Sequence, residues 1–171
     1  MRFKEELRST LIEELWEVTP SDHFESSKRI SSNLYSYLTE NQLLDQRVGV
    51  FSPIQKEPNW SRSIPKPFKV AYPHYGEKRL FIESDEFYME NQPNWPKAKP
   101  CSPDVLLIPG LGFDKEGNRL GRGGGFYDQY LSENDIGIKI GICFELQIRN
   151  IPVEDHDQKM SVVITEENIY S

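Results

Sequence analysis

Short apolar runs that fail to alternate with polar residues constrain this chain more than any other feature. Residues 48–54, 69–73, 80–82, 105–108, 139–144 and 161–165 are β-rich, and several, such as Val105-Leu106-Leu107-Ile108, are apolar at consecutive positions. A strand wetted on one face alternates, whereas a strand covered on both faces does not. The pattern therefore predicts an α/β fold with a mainly parallel central sheet.

Two helices are expected before the first strand. Phe3, Leu7, Leu11 and Leu15 recur every four residues and share one face of a first helix. Thr19-Pro20 with Asp22 then reads as an N-cap, a proline at the first helical position and an acid in the first turn, opening a second helix with Ile30, Leu34 and Leu38 inward. Pro93, Pro96, Pro100 and Pro103 mark residues 90–103 as an irregular connection. With 171 residues and no linker or repeat, residues 1–171 are expected to form a single domain.

Charge and cysteine usage exclude several function classes. A net charge of −7 repels polyanions and argues against a nucleic-acid partner. Cys101 and Cys143 stand without CxxC spacing, and His23, His74 and His156 are scattered, so neither a zinc site nor a disulfide framework is indicated. No stretch approaches the roughly 18 apolar residues of a membrane span, and the N-terminus lacks an apolar targeting core. The expectation is a cytoplasmic protein with no membrane partner.

The chemistry is concentrated between Ile108 and Asp128. Gly121-Arg122-Gly123-Gly124-Gly125 runs into Phe126-Tyr127-Asp128, which reads as a loop feeding a helix. Glycines allow close approach, and helix N-termini carry partial positive charge, so consecutive N–H groups here can cradle a phosphate. No Walker A loop occurs, and the dinucleotide fingerprint fails at Phe126. A plain glycine-rich turn is the alternative that three glycines alone leave open.

The complete run from Pro109 to Asp128 is more specific. It resembles the P-G-x-x-F-D-x-x-G-x-R-L-G-x-G-x-G-[YF]-Y-D signature of the 5-formyltetrahydrofolate cyclo-ligase (methenyltetrahydrofolate synthetase) family. Lys4 and Arg8 are similar to the family's N-terminal K-x-x-x-R pair, Glu57 to its glutamate after the first strand, and residues 152–157 to its late P-x-E-x-H-D run.

The resemblance implies a three-layer α/β domain that uses ATP and Mg²⁺ to turn 5-formyltetrahydrofolate into 5,10-methenyltetrahydrofolate through a phosphorylated formyl group. It implies ATP contacts from Lys4, Arg8, Arg119, Leu120, Gly121, Arg122, Gly123, Gly124, Gly125, Phe126 and Tyr127. It puts the folate, with or without a polyglutamate tail, on Ser52, Glu57 and the Arg122 to Phe126 loop, and the metal on Asp128 and Asp157. A monomer is expected.

Each residue also has a plainer reading. Lys4 and Arg8, four apart on one helix face, also suit a solvated surface. Asp128 suits the first turn of a helix by itself, Glu57 a wetted loop, and Phe126 and Tyr127 simple packing. His156 invites a proton-carrier role, although Asp157 beside it carries the better-defined one. Residues 91–100 depart from the family by lacking its Glu-Pro pair; Trp95, between Pro93 and Pro96, either stacks on the folate or pins its loop to the core. Two rival functions are a non-catalytic folate- or nucleotide-binding relative and an ATP-dependent kinase of another small acceptor.

Overall fold

The computed structural model describes residues 2–75, 79–84, 99–154 and 157–171. Helices α1 (Arg2–Glu17) and α2 (Pro20–Glu40) come first, as the periodicity predicts. At the start of α2, Thr19 accepts a hydrogen bond from the Asp22 N–H (3.1 Å), and Pro20 occupies the position whose missing N–H costs nothing. Leu11 and Leu15 are buried, but Phe3 is 66% exposed, because a four-residue spacing drifts round a helix of 3.6 residues per turn and the neighbouring Lys4 turns inward at this end of α1.

The strands are β1 (Val48–Gly49), β2 (Val70–Tyr75), β3 (Arg79–Ser84), β4 (Pro100–Cys101), β5 (Val105–Pro109), β6 (Gly112–Phe113), β7 (Arg119–Leu120), β8 (Ile138–Ile142), β9 (Val162–Ile164) and β10 (Ile169–Tyr170), with α3 (Phe126–Glu133) between β7 and β8. Eight of them form one sheet in the order β10-β9-β8-β5-β1-β2-β3-β4, and β6 and β7 pair as a separate hairpin. The stretch from β9 to β2 is parallel throughout, whereas β3, β4 and β10 run antiparallel to their neighbours.

Successive residues of the central strands feed opposite faces, which explains the absence of alternation. Val105 and Leu107 join Ile30, Leu34 and Leu38 of α2 in one apolar cluster. Leu106 and Ile108 join Phe113 and the Tyr127, Tyr130 and Leu131 side chains of α3 in another. The result is three layers with the sheet in the middle, the arrangement that a two-faced apolar strand requires. A third cluster of Leu11, Leu120 and Ile151 fastens α1 to β7.

Two expectations need correction. The run at 48–54 pairs as strand only over Val48 and Gly49, with Val50 N–H still reaching Ala71 O (2.8 Å). The chain then turns away, and its new course is fixed by the buried Trp60, whose indole N–H donates to Phe51 O at 2.7 Å. Within the stretch expected to be irregular, Pro100 and Cys101 form an edge strand against β3. An edge is where proline's missing donor is tolerated.

The hairpin sits on the sheet through Phe113, which is fully buried. A Cβ at Gly141 would lie 2.6 Å from its ring, and one at Gly110 would lie 2.8 Å from it, so both glycines make room for this one side chain. Gly141→Ala therefore overpacks the core, at an expected cost of about 1–3 kcal/mol and a fall of roughly 2–12 °C in Tm for a chain of this size. Phe113→Leu should recover part of that loss in the double variant; strictly additive losses in thermal or urea unfolding would contradict the contact.

Candidate functional site

Taken in chain order, the five parallel strands β1, β2, β5, β8 and β9 lie 2-1-3-4-5 across the sheet. The chain leaves β1 toward one edge and β5 toward the other, so a crevice opens beyond their carboxyl ends, where ligands bind in open α/β sheets. The segment after β1 carries Ser52 and Glu57. β5 ends at Pro109, and the segment after it carries Gly110, the hairpin and the glycine loop.

The β1 segment is bolted to α2. Ser27 Oγ accepts the Asn59 N–H (3.1 Å), Ser31 Oγ donates to Asn59 O (3.2 Å), Lys56 Nζ donates to Val18 O (2.7 Å), and His23 Nε2 lies 2.9 Å from Glu57 O. Glu57 is thereby held as a buried side chain, not a wetted loop residue. Its carboxylate accepts the Ile54 N–H (3.0 Å) and the Arg122 Nε–H (3.1 Å). Burial raises its pKa above the usual carboxylate range, and those two partners offset the rise only in part.

The first half of the motif is scaffold. Buried Asp114 closes the β6–β7 hairpin by accepting Asn118 N–H (2.7 Å) and Glu116 N–H (3.1 Å) on one oxygen and the Asn118 side-chain amide (2.7 Å) on the other. Arg119 leaves the closed hairpin with its guanidinium over the Tyr127 ring (5.7 Å), one nitrogen 3.3 Å from Pro109 O and another bonded to Asp128 at 2.5 Å. Its side chain is 7% exposed, so this ion pair is partly withdrawn from water. Asp128 does stand in the first turn of α3, and it also meets Arg119.

The second half is the loop itself. Gly123 (φ 96°) and Gly125 (φ 64°) adopt left-handed backbone that disfavours side chains. A Cβ at Gly123, Gly124 or Gly125 would meet nothing within 4 Å, so the loop borders open space. Gly125 caps α3 without a side-chain hydrogen bond, and the first-turn N–H groups of a helix so capped remain available to an anion.

Two recesses meet at this loop. One, of about 160 Å³, is lined by Phe51, Ser52, Ile54, Glu57, Pro109, Gly110, Arg122, Gly124, Phe126 and Tyr127. The other, of about 250 Å³, is lined by Lys4, Arg8, Leu120, Glu154 and Asp157. Arg119, Gly121, Gly123, Gly125 and Asp128 line both and form the wall between them. Phe126 and Tyr127 both wall the first recess and pack: Phe126 lies parallel to Tyr130 at 6.3 Å and edge-on to Tyr127 at 5.2 Å.

The second recess gathers charge from both ends of the chain. Arg8 Nε donates to Gly121 O at 2.9 Å, and Lys4 Nζ lies 3.1 Å from Asp157 and 3.2 Å from Glu154. Burial would lower the Lys4 pKa, but hydrogen bonds and charges from Asp157 and Glu154 prevail and hold it above its usual value. Lys4 and Arg8 thus line a recess and are partly buried, where a solvated face would leave them in water. Trp95 and His156 lie outside the described residues.

Among the described residues, no three His, Cys, Asp or Glu side chains are grouped to hold a metal by themselves. Asp128 and Asp157 do share one recess. Two hard carboxylates suit Mg²⁺, which commonly takes one or two of them and completes its shell with water and phosphate oxygens.

Sequence reading missed Asp114, whose place in F-D-x-x-G-N was the available signal, and Gln147, for which no local signal exists. Gln147 is 1% exposed and bonds the chain beside the first recess through its side-chain amide.

Comparison with known proteins bears on the fold and the family. The 5-formyltetrahydrofolate cyclo-ligase of Mus musculus is 44% identical over 71 residues, which are 38% of this chain and 35% of that protein. The Mycoplasma pneumoniae protein of the same name is 22% identical over 165 residues, 96% of this chain and 99% of that one. The solved structure of a 5,10-methenyltetrahydrofolate synthetase from Mycoplasma pneumoniae superposes with a TM-score of 0.77 at 21% identity, covering 95% of this chain and 98% of that chain, which is a likeness of fold. A model of the family matches residues 1–166, and the chain belongs to the 5-formyltetrahydrofolate cyclo-ligase family.

Proposed function

We propose that residues 1–171 act as one catalytic domain, a cytoplasmic monomer that converts 5-formyltetrahydrofolate, with or without a polyglutamate tail, to 5,10-methenyltetrahydrofolate at the expense of ATP. The observation that carries this reading is the pair of recesses sharing the Arg119, Gly121, Gly123, Gly125 and Asp128 wall. A nucleotide and a second substrate seated on either side meet across that wall. Cys101 and Cys143 are free thiols, as a reducing compartment allows.

The recess of Lys4 and Arg8, which sets three cations among three carboxylates, takes the ATP phosphates, with Leu120 to Tyr127 supplying backbone donors and Arg119 the charge-assisted bonds that suit a phosphoryl group. The more apolar recess of Ser52, Glu57, Gly110 and Phe126 takes the pterin. The formyl oxygen of 5-formyltetrahydrofolate attacks the γ-phosphorus and ADP leaves. N10 then adds to the activated formyl carbon, the C–O bond breaks, phosphate departs, and the N10 proton is lost. Mg²⁺ held by Asp128, Asp157 and phosphate oxygens would neutralise charge during phosphoryl transfer. The protein otherwise positions two substrates and covers charge, work that needs no covalent nucleophile.

Purified protein given ATP, Mg²⁺ and 5-formyltetrahydrofolate should develop the methenyl-folate absorbance with equimolar ADP. ADP release without folate turnover would favour a kinase of another acceptor, and neither signal with retained ligand binding would favour a binding module.

Arg119→Ala should cost about 1–3 kcal/mol in kcat/KM for ATP, the scale of a lost charge-assisted bond. Asp128→Asn should raise the Mg²⁺ concentration needed for half-maximal rate while leaving the unfolding transition cooperative. Unchanged ATP kinetics and an unchanged Mg²⁺ titration would move both residues out of the site.

The raised pKa of Glu57 gives a signed pH dependence. The folded state holds the Glu57 proton more tightly than the unfolded state does, so its contribution is present at low pH and lost as pH rises through the folded pKa. Glu57→Gln should therefore gain in Tm relative to the parent between pH 4 and pH 8, while its KM for 5-formyltetrahydrofolate rises. A difference in Tm that shrinks toward pH 8 would contradict the assignment.

A further inference from the structure

The chain after β8 passes beneath the crevice as a 3₁₀ turn, Glu145–Gln147, and ends in a fully enclosed glutamine. Gln147 Nε2 donates to both Gly110 O (2.9 Å) and Leu111 O (3.0 Å), while its Oε1 accepts the Phe144 N–H at 2.8 Å. The orientation of the amide is not arbitrary. Reversed, it would point oxygen at two carbonyl oxygens and nitrogen at an N–H, losing three hydrogen bonds and adding like-pole contacts inside the core.

This side chain ties the end of β5 to the end of β8, 36 to 37 residues away in sequence. Gly110 and Pro109 line the first recess, and Pro109 O is one of the acceptors that orient Arg119. Leu111 N–H is itself bonded to Leu120 O (2.8 Å), the residue that follows Arg119. Gln147 therefore sets, from below, the short segment against which Arg119 rests from both sides.

We infer that Gln147 is a positioning residue for phosphoryl transfer, holding the Pro109–Leu111 turn so that Arg119 presents its guanidinium to the wall between the two recesses. The inference rests on the proposed activity. Its physical basis is that displacement of a catalytic group by an ångström is worth about a hundredfold in rate, whereas a buried glutamine that served stability alone would leave turnover per folded molecule unchanged.

The test compares Gln147→Met, which keeps length and loses the donors, with Ile140→Val, a truncation of a buried β8 residue that is not a partner of the amide and should also lower Tm. Full chains of both, of Arg119→Ala and of the Arg119→Ala/Gln147→Met double variant are assayed well below their melting temperatures. Gln147→Met should lose tenfold or more in kcat with less than a threefold change in the KM for ATP, and Ile140→Val should keep its kcat. In the Arg119→Ala background, Gln147→Met should cost less than threefold further, because there is no guanidinium left to place.

Retained kcat in Gln147→Met, or an equal loss in both backgrounds, would overturn the inference and leave the proposed activity standing. A parent that forms no methenyl-folate would instead overturn the activity. Gln147→Glu, isosteric but able to donate to at most one of the two carbonyls and only when protonated, serves if the methionine variant does not fold. Failure of both variants to fold would assign Gln147 to stability and sink the positioning role.

Discussion

The seat of Phe113 over two glycines decides where everything in the site can stand. Its ring fills the space that side chains at Gly110 and Gly141 would occupy, one glycine just after β5 and the other within β8. That contact presses the β6–β7 hairpin onto the carboxyl ends of the parallel strands, and the Arg149 N–H adds a bond to Phe113 O at 2.8 Å. Because the hairpin is closed by Asp114 at its tip, Arg119 and the glycine loop leave it in a fixed direction. Close packing of this kind transmits position across a domain, since interiors have few voids to absorb a shift.

Two further attachments then complete the crevice from opposite sides. α1 docks on the hairpin through Leu11, Leu120 and Ile151, and the Glu14–Arg149 ion pair (2.7 Å) supports it at the surface. Arg8 reaches the glycine loop, and Lys4 the recess beside it, for that reason, although more than a hundred residues separate them from it. On the other side, α2 holds the β1 segment through His23, Ser27 and Ser31, and Glu57 closes the circuit to Arg122. The burial that raises the Glu57 pKa is the cost of this placement, a common signature of functional carboxyls.

The sequence disclosed the layers and the loop more readily than the connections beneath them. Consecutive apolar residues at 105–108 gave away a strand covered on both faces, and Thr19-Pro20 gave away a helix start, because each signal is local and backed by one dominant physical effect. Strands β6 and β7 have two residues each, and their pairing depends on a side-chain closure by Asp114 that no periodicity records. Gln147 was illegible for a stronger reason: the two carbonyls it binds, Gly110 and Leu111, follow a different strand, and nothing in Phe144-Glu145-Leu146-Gln147 distinguishes a buried amide from a wetted one. Phe3 erred the other way, fitting the helical stripe yet lying off the buried face, which Lys4 occupies at that end of α1.

The central claim is that the Arg119 to Asp128 wall separates a nucleotide from a folate. A crystal structure of the protein with Mg²⁺, a non-hydrolysable ATP analogue and 5-formyltetrahydrofolate tests it most directly. The triphosphate should lie beside Lys4 and Arg8, the pterin beside Glu57, and the formyl oxygen should face the γ-phosphorus across the glycine loop. A triphosphate seated against Glu57, or both ligands in one recess, would contradict it.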